Sequence, residues 1–450
     1  MNFEAAVQYL LSLGHETLTM KLGLRNTELL LAALDHPERA FPSVQIAGTN
    51  GKGSTATMLD SICRTASIKC GLYTSPHLVS ITERIKVAGQ SITTDEFAAC
   101  ATVVGDVSKQ LLHDKQIEAL PTFFEQLTAI ALLAFRNARI ELAILETGLG
   151  GRLDSTTAAN ARIVGITQIA LDHQEYLGHT IESIAAEKAA IIRPGVRAVI
   201  AKQQLEAMAV LLRRCDETGV TPVIDDRSHA ITNTTADGRY CFSFEALPEI
   251  CVGLRGRHQI DNAAVAIRLA DALNLEGFNI PSSAIVDGIA NTEHAGRLEL
   301  IPHRPAFLLD GAHNVAGCES LRDYLDAFAP RPLTLVFGAM RDKQLDQIGE
   351  RLFPVADLLI LTAIENPRSA SIELLQTIAS RYAGGMVIEN ASSTEALRVA
   401  REKTPPYGLI CVAGSLYLIG EVRPTILSLE KQDEYATQRT AADSQQPENF

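Results

Sequence analysis

Gly48-Thr49-Asn50-Gly51-Lys52-Gly53-Ser54 is the stretch on which the reading of this chain turns. Before it runs Ser43-Val44-Gln45-Ile46-Ala47, short and mostly apolar, which reads as a buried strand. After it, Met58, Leu59, Ile62 and Cys63 recur at helical spacing. Strand, glycine turn and helix together make a phosphate cradle. The glycines let backbone N–H groups face an anion, and the helix start adds partial positive charge. Lys52 can reach outer phosphates, and Ser54 or Thr55 can reach a magnesium ion. The stretch departs from the full G-x-x-x-x-G-K-[ST] pattern, because Ile46 stands at the first glycine and Gly53 separates Lys52 from Ser54. A plain glycine turn with an exposed lysine is the competing reading. The flanks favour phosphate.

Outward from this loop, apolar strands and amphipathic helices alternate. Strands are expected at 43–47, 70–73, 140–145, 163–167, 197–201 and 221–225, with shorter β pieces over 229–253. Pro121 opens a strong helix with Phe123, Phe124, Leu127 and Ile130 inward. Such alternation predicts an α/β fold, a mostly parallel sheet with helices on both faces. Ligands of such sheets bind beyond the carboxyl ends of the strands. The glycine loop, Ser75, Glu146 and His173 all stand just past expected strand ends, which suggests one shared site. Polarity rises over 291–297, and a fresh alternation follows from 306 to 413. The expected organisation is a P-loop domain over 1–294, a smaller Rossmann-like α/β domain over 295–427 and a disordered polar tail over 428–450.

A chain of 450 residues exceeds one ordinary core. Its net charge of −13 argues against a general nucleic-acid or anionic-membrane surface, so an anionic substrate needs local positive groups. The eight cysteines form no C-x-x-C pair and no zinc spacing, and read as small reduced core residues. The start lacks the basic and long apolar segments of a signal peptide, and no apolar run reaches membrane-spanning length. A cytoplasmic protein is expected, and nothing demands more than a monomer.

Several side chains carry candidate chemistry. Glu146 ends an apolar strand, where a charge needs a metal or a partner such as Arg152. The residues alone leave those two readings even. His173 by itself reads as a hydrogen-bonded structural histidine. Lys188, in a helical run, reads as an exposed lysine. Leu308-Leu309-Asp310-Gly311-Ala312-His313-Asn314 places polar groups after a buried strand and before a helix, which suits nucleotide contacts but also plain turn chemistry. Arg297 is placed to reach across a cleft, though a surface arginine is the commoner case.

Taken together the motifs GTNGKGS (48–54), LYTSPHL (72–78), ETGLGGRLDST (146–156), LDH (171–173), EKAAII (187–192), HQIDNAA (258–264), GRLE (296–299) and LDGAHN (309–314) resemble the folylpolyglutamate synthase family, a branch of the Mur ligases. The resemblance spans the chain to about 424. It implies an ATP-dependent amide ligase. The γ-phosphoryl of ATP passes to a pterin-bearing carboxylate, L-glutamate attacks the acyl phosphate, and phosphate leaves. It implies that Gly51, Lys52, Gly53 and Ser54 bind ATP phosphates, with Asn262, Arg297, Asp310, Gly311, Ala312 and His313 on the nucleotide. It implies Ser75, Glu146 and His173 as magnesium ligands, two ions in all, which reverses the residue-only reading of His173. Lys188 would be carbamylated, and Lys52, Lys188 and His173 would be the catalytic groups. Leu24, Arg25, Asn26, Thr27, Thr122, Phe123, Phe124, Glu125, Leu153, Asp154 and Ser155 would form the pterin or folate pocket.

Thr157 stands where the family usually has Asn, Ala190 where it has Gly, and Ala295 where it has Pro. Arg152-Leu153-Asp154 after the double glycine resembles the bifunctional members, which also add the first glutamate to dihydropteroate. The expected partners are therefore dihydropteroate, folates, L-glutamate and ATP. The alternatives are an extender of folate tails only, a P-loop regulator without ligase chemistry, and a cell-wall Mur ligase.

Overall fold

Every residue of Ser43–Ala47 is buried, and this strand, β1, is the centre of the larger sheet. The computed structural model describes residues 1–14 and 23–443. They divide into two compact units, Met1–Thr235 with Arg239–Glu293, and Ala236–Gly238 with His294 onward.

In the first unit β1 is joined by β2 (Cys70–Tyr73), β3 (Ile85–Val87), β4 (Gln90–Ser91), β5 (Leu142–Glu146), β6 (Ile163–Ile166), β7 (Arg197–Ala201) and β8 (Val223–Asp225). Their order is β4-β3-β2-β5-β1-β6-β7-β8. From β2 to β8 every neighbouring pair is parallel, and β3 and β4 add an antiparallel edge. β1 lies between β5 and β6, with Ile46 opposite Glu146 on one side and Gly165 on the other. The loops after β1, β2, β5 and β6 thus leave one end of the sheet, where parallel α/β sheets bind ligands.

The helices of this unit are α1 (Phe3–Ser12), α2 (Arg25–Ala33), α3 (Lys52–Thr65), α4 (Thr94–His113), α5 (Phe123–Ala138), α6 (Gln174–Leu177), α7 (Ile181–Ala189), α8 (Leu205–Thr218), α9 (His258–Leu275) and α10 (Ser282–Ala290). One face of the sheet packs Val44 and Ile46 against Met58, Leu59 and Ile62 of α3, Ile267 of α9 and Ile289 of α10. Another core joins Ala143 and Leu145 of β5 to Phe97 of α4 and to Leu127, Ile130 and Phe135 of α5. A third joins Ala47, Val164 and Ile200 to Ile184 of α7 and Leu211 of α8. The period-two alternation along β1 therefore serves two layers.

A three-stranded antiparallel sheet, β9 (Ile231–Thr234), β10 (Arg239–Phe242) and β11 (Ile250–Arg255), leads into α9. Here the expectation of eight free thiols fails. Cys241 lies opposite Cys251 in the β10–β11 register, and the two are disulfide-bonded. Strand register, not sequence spacing, brings them together, so no motif announced the pair. The other six cysteines are free and buried.

The second unit holds β12 (Glu299–Ile301), β13 (Ala306–Asp310), β14 (Leu333–Phe337), β15 (Leu358–Thr362), β16 (Met386–Asn390) and β17 (Leu409–Ala413), in the order β12-β13-β17-β14-β15-β16. All pairs are parallel except β12–β13. Helices α11 (Val315–Phe328), α12 (Leu345–Leu352), α13 (Ile372–Tyr382), α14 (Ser393–Lys403) and α15 (Leu416–Asp443) complete it. Arg423 of α15 forms a forked ion pair with Glu299 of β12, at 2.6 Å for the closest contact. The tail expected from 428 is instead the continuation of α15 to Asp443. Its Glu, Lys, Gln and Ala content favours helix even without an apolar stripe. Residues 444–450 lie outside the described residues. Among the described residues no helix is long and apolar enough to cross a membrane.

Candidate active site

The glycine loop closes over its own backbone. Lys52 folds back so that Nζ donates to the carbonyls of Gly48, at 3.0 Å, and Thr49, at 3.1 Å. Thr49 is sewn to the segment after β6. Its N–H donates to the Gln168 carbonyl at 2.8 Å, and its hydroxyl donates to Ala170 O at 3.0 Å. Gly51 caps α3 in a left-handed conformation, φ 85°. Asn262 of α9 lies against it, so close that a Cβ on Gly51 would fall 2.1 Å from Asn262 Oδ1. Gln259, one turn earlier, accepts from Asn262 Nδ2 at 2.9 Å and donates to the Ser54 hydroxyl at 3.4 Å. The HQIDNAA motif and the glycine loop are therefore one assembly.

Glu146, buried at the end of β5, accepts from the Ser75 N–H at 3.1 Å. Arg152, its alternative partner in sequence, pairs instead with Glu187 at 3.0 Å. Two proposed magnesium ligands thus meet beside the glycine loop, since Thr147 N–H bonds Ile46 O at 3.0 Å. A buried carboxylate beside a hydroxyl-bearing residue is a donor set suited to a hard cation. His173 sits at φ 50° at the start of α6, directly after Asp172, whose Oδ1 accepts the His173 N–H at 2.8 Å.

Lys188 is not the exposed lysine its helical run suggests. It is only 4% exposed, and Nζ donates to Gly48 O at 2.8 Å. Burial, reinforced by the Lys52 charge, lowers its pKa to about 7, against the opposing pull of Asp172, Asp154 and Glu187. Packing of α7 beneath the loop creates this environment, and helical periodicity alone carries no sign of it.

The proposed pterin residues converge from three elements. Thr122 caps α5 in a capping box with Glu125, whose other oxygen accepts from Thr27 of α2 at 3.3 Å. Thr128 of α5 bonds the Ser155 hydroxyl at 2.5 Å, and the Phe124 ring lies 5.9 Å from that of Tyr73. Leu24 and Arg25 stand at the start of α2, with Asn26 in its first turn. Asp154 accepts from the N–H groups of Gly148 and Leu149, at 2.8 and 2.9 Å, and from Thr156. Burial raises its pKa against those donors. Its carboxylate organises the loop that carries Leu153 and Ser155. Arg84 escaped the sequence reading. It is fully buried, donates from Nε to His77 Nδ1 at 2.7 Å and lies 5.7 Å from the centre of the Phe123 ring. Its local signal is weak, since Arg84 stands between the charged Glu83 and the apolar Ile85 and reads as a surface residue.

In the second unit Asp310 accepts from Leu298 N–H at 2.8 Å and Ala312 N–H at 2.9 Å. Gly311 N–H bonds Gly296 O at 2.9 Å, and His313 Nδ1 donates to Gly311 O at 2.7 Å. Burial raises the Asp310 pKa, and the Arg297 guanidinium opposes the rise. The GRLE and LDGAHN motifs are thus folded onto each other within this unit.

A parallel α/β sheet with such a loop is a nucleotide-binding fold, and the family comparisons make it a Mur ligase. The Mur ligase middle domain matches residues 46–270, and the Mur ligase glutamate ligase domain matches 296–416. The chain is 33% identical over 426 residues to the dihydrofolate synthase/folylpolyglutamate synthase of Bacillus subtilis, covering 90% of this chain and 95% of the relative. It spans only 50% of a probable bifunctional folylpolyglutamate synthase/dihydropteroate synthase of Haloferax volcanii, at 32% identity over 94% of this chain. Mycobacterium tuberculosis folylpolyglutamate synthase complexed with ADP superposes with a TM-score of 0.86 at 30% identity, covering 94% of this chain and 99% of that one. Escherichia coli FolC in complex with DHPP and ADP gives 0.82 at 30% identity, over 95% and 98%. The chain belongs to the folylpolyglutamate synthase/dihydrofolate synthase family of Mur ligases.

Proposed function

We propose that this chain joins L-glutamate to dihydropteroate and to the γ-carboxylate of folate tails, with ATP cleaved to ADP and phosphate. The carrying observation is the enclosed Lys188, hydrogen-bonded to the backbone of the glycine loop. A free carboxylate is a poor electrophile. Transfer of the γ-phosphoryl to it makes an acyl phosphate, the glutamate nitrogen attacks that carbonyl, and phosphate departs with the C–O bond. The proton lost by the nitrogen passes to solvent or to phosphate.

In this reading the loop N–H groups, Lys52 and Ser54 align the triphosphate, and Asn262 holds the loop in shape. Ser75, Glu146 and His173 would hold magnesium, which neutralises phosphate charge when bound. An amine whose pKa is lowered to about 7 is about half neutral at pH 7, where an ordinary lysine is almost wholly charged. Lys188 is therefore suited to take up carbon dioxide, forming an N–C bond and releasing a proton. The resulting carbamate would replace a cation by an anion beside the glycine loop. Arg297 and Asp310 to His313 are proposed as nucleotide contacts, and Thr27, Thr122 to Glu125 and Leu153 to Ser155 as the pterin pocket.

The deciding experiment gives purified protein ATP, magnesium, L-glutamate and either dihydropteroate or tetrahydrofolate monoglutamate. ADP release with a glutamylated product from both acceptors is expected. Product from the folate alone would make the chain an extender of tails. Product from neither would overturn the reading.

A further inference from the structure

Gln45 is a polar side chain in the middle of an apolar strand, with no exposed surface. It takes no part in the chemistry above. Its Nε2 donates to Thr157 Oγ1 at 2.7 Å and to Thr156 Oγ1 at 3.0 Å. Both hydroxyl protons are committed elsewhere. Thr156 donates to Asp154 Oδ1 at 2.5 Å, and Thr157 donates to Gly151 O at 2.7 Å. The two threonines must therefore accept from Gln45, which fixes the orientation of its amide. Its Oε1 is buried without a hydrogen-bond partner. Keeping such a group in a strand core costs stability, so a compensating role is the economical explanation.

We propose that Gln45 is a positioning residue for acceptor binding, acting through Thr156 and Asp154 on the loop from Gly148 to Ser155. The inference rests on the reading of that loop as part of the pterin pocket. The amide of β1 orients the Thr156 hydroxyl. That hydroxyl holds Asp154, and Asp154 gathers the Gly148 and Leu149 N–H groups on its second oxygen. The Thr157 branch pins Gly151 beside α7. The phosphate side of the site is anchored separately. Glu146 is held by Ser75 and by β-strand pairing, and the glycine loop by Thr49, Lys52 and Asn262. Loss of the amide should loosen the acceptor pocket and leave nucleotide affinity in place.

The test uses Gln45→Met, of similar length without a donor, Thr156→Val and the double variant, assayed with dihydropteroate, ATP and L-glutamate. Each single variant is expected to raise KM for dihydropteroate about tenfold with KM for ATP within twofold. The double variant should be no worse than the weaker single, because both cut one chain of contacts. Additive losses, or equal rises in both KM values, would overturn the proposal, since a general loosening of the core produces those. If Gln45→Met does not fold, Thr156→Val and Thr157→Val carry the test. The first must raise the acceptor KM more than the second, and the reverse order defeats the idea. Wild-type protein that turns over no pterin acceptor would defeat the functional reading itself; wild-type turnover with an unmoved acceptor KM in folded variants defeats only the role of Gln45.

Discussion

Lys188→Ala is expected to cut turnover by about 10²- to 10³-fold or more while the protein still folds. Removing a single charge-stabilising group aimed at a transition state costs about that much. Here the residue is 4% exposed and lies 2.8 Å from the glycine-loop carbonyl. A regulator that only bound nucleotide would keep its function in this variant, whereas unchanged ligase turnover would remove Lys188 from the catalytic groups. The same residue has a signature in stability. Its folded pKa is lowered to about 7, chiefly by burial. An unfolded lysine titrates near 10.4. Between those values the unfolded chain binds more protons than the folded one, so this group makes stability rise with pH. The slope is about 1.4 kcal/mol per pH unit. Below pH 7 both states are protonated and the full penalty of the buried charge is present. In buffer free of carbon dioxide, the wild type should therefore gain stability from pH 7 towards pH 10 relative to Lys188→Met, as read by denaturant midpoints. Parallel profiles for the two proteins would show that the amine titrates normally.

Much of the fold was legible because burial and secondary structure share a period. β1, β2 and β7 stand where apolar runs placed them, and so do α11 and β13. What escaped depends on tertiary context. The β3–β4 hairpin and β12 are short edge elements whose pairing needs a neighbour. α10 lies in a stretch for which no element was expected, yet it packs Ile285 and Ile289 against α3. Within the site, motifs marked Glu146 and Ser75, but their contact came from neighbouring strands β2 and β5. Lys188 shows the difference most sharply. Its residue type suggested solvent, and only the resemblance singled it out. Its burial follows from where α7 lands, which no local pattern encodes. Gln45 carried a local signal, a polar residue in a buried strand, whose meaning required the loop above it.

Gly51→Ala should raise KM for ATP at least about tenfold and lower kcat with it. Two physical costs add. Gly51 sits at φ 85°, and a left-handed backbone costs an L-residue about 1–2 kcal/mol. Its new Cβ would also fall 2.1 Å from Oδ1 and 2.9 Å from Cγ of Asn262. That amide is tied to Gln259, which also reaches Ser54, so displacing it disturbs the start of α3. Relief of either strain moves the N–H groups that would face phosphate, and a shift of about 1 Å can cost a hundredfold in rate. Gly219→Ala is the control. It too has a left-handed backbone, φ 68°, but no atom lies within 4 Å of the added Cβ. It should cost about 1 kcal/mol of stability and leave both kinetic constants unchanged. Adding Asn262→Ala to Gly51→Ala removes the collision but not the backbone strain. Because Asn262 itself holds the loop, the double variant is judged against Asn262→Ala alone: equal ATP affinity in the two shows that the collision with α9 was the cost, and a further loss in the double variant assigns it to the left-handed turn. A Gly51→Ala protein that binds and cleaves ATP as the wild type does would show that the turn at 48–54 is not where the triphosphate sits.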